Sequence, residues 1–491
     1  MSIYPRQSTS VRLLAMLSMA CIYPHASVEV KAQKAEYHTI DREARDGAKG
    51  YEWLKSSAER DGHRLTGTPN GKRAEETADS LLRASGLDRV SFFPFSANAW
   101  QRRSVRLVVN DGRTDTVITA VALAHTPDSS WVSAPLIDVG NGLAADFERA
   151  GTAVPGNAVL MNIGLRGAPE GAHNLHRSEK TALAIAAGAT AIVFVNNVDG
   201  HVLLTGTASV DGLPISIPAA CVSSEDGAWL RSALTQGLVP RIDLSMTNSN
   251  ALVTARNVIA EIRGSTKPDE VIIIGGHLDC WDLATGATDN GLGSFSILDL
   301  ARCFKALGLK PERTIRFIMF MGEEQGLLGS TALVEHLRTT GELANVKCML
   351  NLDMTGGPFG FHVVGPDGWS DLVHSIGAEI TALDTTFRNE LRTEAGLHSD
   401  HQPFMLQGVP VIAPLSDLGG HVYGCYHSSC DDIHLVDPRR MVDNVRFTGM
   451  LLWSLANAPT LPGHFTDDAL RDRLRADGLE DKLKLQKEWR W

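Results

Sequence analysis

The stretch Val271–Gly326 reads VIIIGGHLDCWDLATGATDNGLGSFSILDLARCFKALGLKPERTIRFIMFMGEEQG. It opens on a continuous apolar run, VIIIGG, and closes on a second, IRFIMFM. Between them LGSFSILDLARCFKAL places Leu292, Phe295, Leu300, Phe304 and Leu307 on one helical face. Strand, helix, strand is the unit of a parallel sheet, and strands without polar alternation are buried on both faces. The runs NVIAEI before it and VKCMLNL, FHVVG and VPVIAP after it extend the pattern from about Ala255 to Pro459. In such sheets ligands bind beyond the carboxyl ends of the strands. His277, Asp279 and Asp282 follow the first run, and Glu323 and Glu324 follow the second.

Working outward, residues 130–250 change texture. Short β-like runs (AVLMNI, AIVFVNN, ISIPAACV) surround an Ala-rich helix, KTALAIAAGA, with frequent Gly and Pro. This reads as an inserted mixed α/β module without a concentrated acid and imidazole set, suited to binding or positioning. Residues 34–129 read as the N-terminal part of the same domain as 251–460. They hold two helices within 51–87, the second capped by Asn70 and ended by Gly86, and then a hairpin at Asp111-Gly112. Residues 461–491 are charge-rich and helical in pattern. They are expected to form a solvated tail or partner surface without chemistry. Residues 1–33 carry Arg6 and Arg12 ahead of LLAMLSMACIY and read as a signal peptide and leader, implying a secreted or periplasmic protein.

The 491 residues include 43% hydrophobic and 21% charged, which excludes disorder and suggests two to four domains. A net charge of −11 with interspersed signs argues against nucleic acid as a partner. Outside the leader no stretch has the length of a membrane span, so short peptides or small molecules are the expected partners, with a homodimer allowed. Seven scattered cysteines do not make a disulfide framework. Cys425 and Cys430 form the one close pair, read equally as a local disulfide or as two thiols.

Five segments place acids and imidazoles at strand ends: GGHLDCWD, GATDNG (Asp289), MGEEQG, NLDM (Asp353) and CYHSSCDD (His427, Asp431, Asp432). Clustered carboxylates repel unless a cation neutralises them. Imidazole and carboxylate without thiolate suit zinc, with manganese or cobalt acceptable. A two-metal centre needs a shared carboxylate, and Asp289, in a Gly-rich loop before a helix whose amides can hold it, suits that place. Adjacent side chains leaving a strand diverge, so one of Glu323 and Glu324 can ligate while the other acts as base. Asp279 can accept the second imidazole N–H of His277. Asp431 either does the same for His427 or caps a turn. Ser399, Asp400 and His401 (in HSDHQPF) line a substrate pocket or form a surface turn.

NVIAEIRGSTKPDEVIIIGGHLDCWD, TDNGLG, GEEQGLLGS, NLDM, SDHQPF and YHSSCDD, in this order, resemble the motifs of the co-catalytic zinc exopeptidases. The His-Leu-Asp-x-Trp-Asp loop and the placement of the inserted module are most similar to the carboxypeptidase Q branch. The resemblance covers roughly residues 45–460. It implies an α/β phosphorylase/hydrolase-like fold, a mostly parallel sheet flanked by helices, with residues 130–250 as a protease-associated domain over the cleft. It further implies that His277, Asp289 and Asp353 bind one zinc, that Asp289, Glu324 and His427 bind the other, and that Glu323 is the general base. Asp432, where the family often has Thr, and Cys430, inside the His-to-Asp spacing, depart from the pattern without removing a ligand.

The expected activity is hydrolysis of dipeptides or short peptides by a hydroxide bridging two zinc ions. An aminopeptidase would use the same centre. A glutaminyl-cyclase-type acyltransferase is disfavoured by the complete second ligand set, and a receptor-like binder by the retention of every ligand. The sequence does not say which peptide terminus is read. Arg388 and Arg392 are two cations that could hold a carboxylate.

Overall fold

The computed structural model describes residues 34–168 and 171–491, so the signal peptide and leader expected over residues 1–33 lie outside the described residues. The strands of the first half are β1 (Arg89–Asn110), β2 (Asp115–Ile118), β3 (Ala120–Ala122), β4 (Ser129–Asp138), β5 (Ala158–Asn162), β6 (Ala191–Val195) and β7 (Ala219–Val222). Those of the second half are β8 (Arg241–Ile262), β9 (Lys267–His277), β10 (Arg313–Phe320), β11 (Val346–Asn351), β12 (Gly360–Val364), β13 (Glu390–Arg392) and β14 (Val411–Leu415). They join in one mixed sheet, β13-β12-β14-β11-β9-β10-β8-β4-β5-β6-β7-β3, with β1 against β8 and β2 against β1.

The centre of the second half is parallel: β14, β11, β9 and β10 run the same way, and β8 closes that group antiparallel. Period-two alternation divides each strand between two cores. Ile272, Ile274, Phe317 and Met319 face a core built with helix Leu292–Ala306 and helix Gly449–Asn457. Val271, Ile273, Ile318 and Phe320 face another, shared with helix Leu328–Thr340. This double burial is why these strands are apolar without alternation.

β1 and β8 pair continuously from Arg89↔Glu261 to Asn110↔Arg241, with one irregularity between Arg102 and Ser104. The ribbon is about 70 Å long at the usual rise per residue. It crosses from the peptidase half into the module, whose parallel strands β4 to β7 carry helix Arg177–Ala186 and helix Ser224–Thr235. Leu107, Val109, Ile118 and Ala122 share a core with Leu136, Leu160 and Val193, and β3 pairs with β7, so segments before residue 130 complete the module's sheet.

Two local expectations are corrected. Helix Pro69–Ala84 is capped by Thr68, whose Oγ1 accepts from the Gly71 amide at 3.0 Å, and not by Asn70. Threonine at the cap followed by proline at the first helical position satisfies an orphan amide and presets φ. The tail is not a solvated surface. Helices Asp467–Ala476 and Glu480–Leu485 bury Leu470, Leu474, Leu479 and Leu483 in the core of Val271 and Phe404. The hairpin at Asp111-Gly112 forms as expected, with Asn110 opposite Asp115. Cys425 and Cys430 are joined in a disulfide. Among the described residues no helix is long and apolar enough to cross a membrane.

Candidate metal centre

β9, β10 and β11 end together at one edge, with His277 in register with Phe320 and Asn351 beside Gly275. The chain beyond each end therefore delivers polar side chains to a common point. The buried Arg64 fixes the loop after β9: its Nε, Nη1 and Nη2 donate to the carbonyls of Leu278, Thr285 and Gly286 at 2.6, 2.6 and 2.9 Å. Gly322, with φ +80°, lets the chain turn sharply after β10 into Glu323 and Glu324.

Two triads result, each with ligand atoms within 4.8 Å of one another: His277, Asp289 and Asp353, and Asp289, Glu324 and His427. His277 Nε2 lies 3.3 Å from Asp289 Oδ1 and 3.3 Å from Asp353 Oδ1. His427 Nε2 lies 3.0 Å from Asp289 Oδ2 and 2.9 Å from Glu324 Oε2. Asp289 thus faces both imidazoles with different oxygens. Glu323 stands apart from both triads, its Oε2 4.0 Å from His277 Nε2.

Four carboxylates around two imidazoles leave an excess of negative charge, and the titration of the groups reflects it. Burial, reinforced by the neighbouring acids, pushes Glu323 well above the usual carboxyl range and Glu324 up to about 7. Burial alone would lower both histidines, yet the surrounding carboxylates raise them. Asp289 Oδ2 and Glu324 Oε1 are buried without a hydrogen-bond partner. Orphaned carboxylate oxygens beside imidazole nitrogens are the donor set that a divalent cation satisfies. The residues fit such an ion, and the chemistry excludes a tetrathiolate structural site.

The supporting contacts differ in part from the sequence expectations. His277 Nδ1 faces the backbone carbonyl of Asp279 at 3.0 Å, while its distance to the Asp279 carboxylate is 3.8 Å. That carboxylate instead accepts from Thr66 Oγ1 at 3.0 Å and from the Glu323 amide at 3.3 Å, so Asp279 links the His277 loop to Glu323. Asp431 does not touch the imidazole of His427. It accepts from the Thr288 amide and hydroxyl at 2.8 and 2.6 Å and from the Asp289 amide at 3.0 Å. The loop amides therefore grip Asp431, and through it hold Asp289, whereas the expectation had them hold the Asp289 carboxylate itself. Asp432 ties the same loop through Thr285 Oγ1 at 2.7 Å.

The Ser399-Asp400-His401 segment takes neither of the two expected places: none of the three lines the cleft, and Ser399 and Asp400 are buried, not on a surface turn. Ser399 Oγ donates to Asp353 Oδ2 at 2.6 Å and accepts from Asn351 at 2.7 Å, which orients Asp353. Asp400 is fully buried, its carboxyl pushed up to about 7 by desolvation, and His401 is held near Asn351 and the Gly396 carbonyl. In a short helix opening at His401 the residues that reach the cleft are His398 and Gln402, one before and one after the expected trio. Arg388 pairs with Glu390 at 2.7 Å, and neither it nor Arg392 lines the cleft.

The cleft over the metal centre is about 270 Å³. Its roof comes from segments without recognisable motifs: His176, Arg177 and Ser178, then Thr207 to Val210, and Gln486 with Glu488. Arg177 donates from Nη2 to His427 Nδ1 at 3.0 Å, and Tyr426 stacks on the same imidazole with ring centroids 3.7 Å apart. His176 stacks on His398 at 4.4 Å, joining the module to the peptidase half. The one sequence signal for these residues was the Leu470, Leu474, Leu479, Leu483 spacing, which marks a packed tail. Nothing marked Arg177.

Residues 257–450 match the model of peptidase family M28, and residues 132–230 match the PA domain. Carboxypeptidase Q of Bos taurus is 26% identical over 447 residues, covering 88% of this chain and 93% of the relative. Aminopeptidase YwaD of Bacillus subtilis (strain 168) is 28% identical over 453 residues, covering 88% and 91%. Among solved structures, BSAP, a zinc aminopeptidase from Bacillus subtilis, superimposes with a TM-score of 0.62 at 26% identity, over 85% of this chain and 97% of that one. The peptidase M28 precursor from Shewanella amazonensis SB2B shares the fold with a TM-score of 0.75 at 24% identity, over 88% and 99%. The family resemblance carried by the motifs is borne out: the chain is a metallo-exopeptidase of peptidase family M28, with a PA domain set into it.

Proposed function

We propose that the protein removes or splits terminal residues of short peptides, dipeptides first, at a centre of two zinc ions. The observation that carries this reading is the pair of triads that meet at Asp289, with Glu323 free beside them. In it His277, Asp289 and Asp353 hold one ion, and Asp289, Glu324 and His427 hold the other. The names of the carboxypeptidase Q and zinc aminopeptidase relatives support both the activity and the metal. Two zinc ions supply Lewis acidity, which lowers the pKa of a water and polarises the scissile carbonyl.

The chain's own residues do the rest. Glu323 takes the proton of the attacking water and returns a proton to the departing amine nitrogen. Burial and the neighbouring acids favour its protonated form, and cations held by those acids would favour the ionised form that can accept a proton. Asp279 holds the Glu323 backbone in place, Ser399 orients Asp353, and Asp431 fixes the bridging loop. The roof narrows the cleft so that a chain end enters in preference to a continuous polypeptide. Residues 34–129 and 251–460 form the peptidase unit in this reading, except that the stretch from Leu107 to Ala122 completes the sheet of the module at 130–250, and 461–491 is the tail. The leader 1–33 would direct it to the secreted or periplasmic space.

A second reading, aminopeptidase action on longer peptides, is favoured by the 28% identity to Aminopeptidase YwaD. One dipeptide offered free, N-acetylated and C-amidated to the zinc-loaded protein separates the two. Loss on both modifications supports dipeptidase action, and loss on acetylation alone supports the aminopeptidase. Protein carrying two zinc ions that cleaves none of the three would overturn both.

A further inference from the structure

Five acids line the cleft: Asp289, Glu323, Glu324, Asp353 and Glu488. Four belong to the metal centre. The fifth comes from the tail, in a stretch whose composition suggested solvent exposure.

Its position is held from three sides. Leu483 anchors the last helix in the core, and the Glu488 amide donates to the Leu483 carbonyl at 2.8 Å. Lys487 adopts φ +62°, a conformation that L residues rarely take, and this turn sends the chain's neighbouring side chains inward. Gln486 and Glu488 face the cleft while the Lys487 ammonium reaches outward to Asp211 of the module at 2.7 Å. Gln486 is buried, donating to Glu179 Oε1 at 2.9 Å and accepting from Gln402 Nε2 at 3.0 Å. Gln402 Nε2 also donates to Glu488 Oε2 at 2.5 Å. Glu488 is therefore a placed side chain, set by the same Gln402 that stands one helical turn beyond His398.

What Glu488 lacks is a close counter-ion of its own. Burial raises its proton affinity; the hydrogen bond from Gln402 and the His398 imidazole favour its ionised form, but His398 is itself 3.5 Å from Glu179 Oε1. The one arginine on the cleft wall, Arg177, is engaged with His427. A half-buried carboxylate that is fixed in place and whose nearby cations are shared with other groups is stabilised by a cation arriving with the ligand. An exopeptidase must read a charged chain end, and the cation common to every free peptide is its α-ammonium group.

We propose that Glu488, presented by the tail, captures the free α-ammonium group of the substrate and so makes the enzyme select peptides with an unblocked amino terminus. The proposal rests on the peptidase reading above and adds the terminus that is recognised. It also gives the tail a role: the enzyme's specificity is completed by a segment outside the M28 match at residues 257–450.

The test uses the full chain loaded with zinc, and as substrates alanyl-alanine, N-acetyl-alanyl-alanine and alanyl-lysine. The wild type should prefer the free dipeptide over its acetylated form by at least about 10-fold. Glu488→Gln should raise KM for alanyl-alanine about 10- to 100-fold, the range of a lost charge-assisted hydrogen bond, with a smaller change in kcat. KM for the acetylated peptide should stay put, and Glu488→Asp should recover part of the loss. Equal use of free and acetylated peptide by the wild type overturns the proposal without any variant, so it remains testable if the substitutions impair folding. It is also overturned by an unchanged preference in Glu488→Gln, by equal losses of kcat on all three substrates, or by a loss confined to the lysine-bearing peptide. A wild type holding two zinc ions yet inactive on all three removes the peptidase reading first, and this proposal with it. Activity with unaltered selectivity removes this proposal alone.

Discussion

The floor and the roof of the cleft are built by opposite strategies. The floor is a set of short loops at the ends of β9, β10 and β11, in front of helix Leu292–Ala306 and after the short helix Gly420–Tyr423, and each loop delivers one or two ligand-type residues. The roof consists of three segments far apart in sequence, 176–178, 207–210 and 486–488, which meet because two packed units and a tail are folded against each other. In the floor, chemistry dictates residue type, so acids and imidazoles must appear at strand ends. In the roof, position does the selecting, and ordinary polar residues become functional only through packing. The floor is thus suited to activate a bond, and the roof to decide which molecule presents it.

The largest effect expected on either side is that of Glu323→Gln. It removes the base while leaving every ligand and the whole roof, so the rate should fall about 10²–10⁴-fold with both metals retained. Steady-state kinetics paired with metal analysis checks this, and near-wild-type turnover would show that the floor's chemistry lies elsewhere.

Leu483→Ala attacks the roof from behind. Leu483 is fully buried at the base of the tail, and truncating a leucine in such a site costs about 2–5 kcal/mol. Denaturant unfolding should register that loss. If the roof governs selection, the variant's preference between free and blocked peptides should narrow while its zinc content holds.

The smallest expected effect sharpens the contrast through pH. Lys180 lies fully buried in the module, its ammonium donating to the carbonyls of Asn162 and Ile163 at 2.9 Å each. Burial lowers its pKa from 10.5 to about 8, partly offset by Asp146 and Glu179. Between about pH 8 and 10.5 the unfolded chain then binds more protons than the folded one, so this group's contribution to stability rises with pH across that window. Below pH 8 both states carry the proton and the cost is constant. The gain is on the order of 1–3 kcal/mol, and Lys180→Met should abolish it in melts followed from pH 7.5 to 10.5.

The contrast also explains what could be read from the sequence. The strands were legible because double burial leaves uninterrupted β-branched runs such as Val271–Ile274, and the ligands because of five acid and imidazole motifs; three follow β9, β10 and β11 as expected, whereas Asp289 lies ahead of helix Leu292–Ala306 and His427 in a loop after the short helix Gly420–Tyr423. The ligand residues named from the motifs are the ones that the two triads bring together. Supporting contacts were harder. Asp431 lies four residues after His427, which left open whether it orients the ring or caps a turn, and tertiary folding aims it at the amides of Thr288 and Asp289. Ser399 was expected on the pocket wall or in a surface turn and instead braces Asp353, because the chain enters a helix at His401 and turns His398 and Gln402 toward the cleft. Arg177 was invisible because an arginine at the start of an Ala-rich helix carries no local mark of the histidine it will meet 250 residues later. The tail misled in another way: its charges are real, but Leu470, Leu474, Leu479 and Leu483 form a stripe that outweighs them.

The central claim is that Asp289 bridges two cations, and anomalous diffraction at the zinc edge from crystals of the zinc-loaded protein tests it most directly. The account predicts two peaks about 3.5–4 Å apart with Asp289 between them, His277 and Asp353 on one and Glu324 and His427 on the other. A single peak, or two peaks that do not share Asp289, would contradict it.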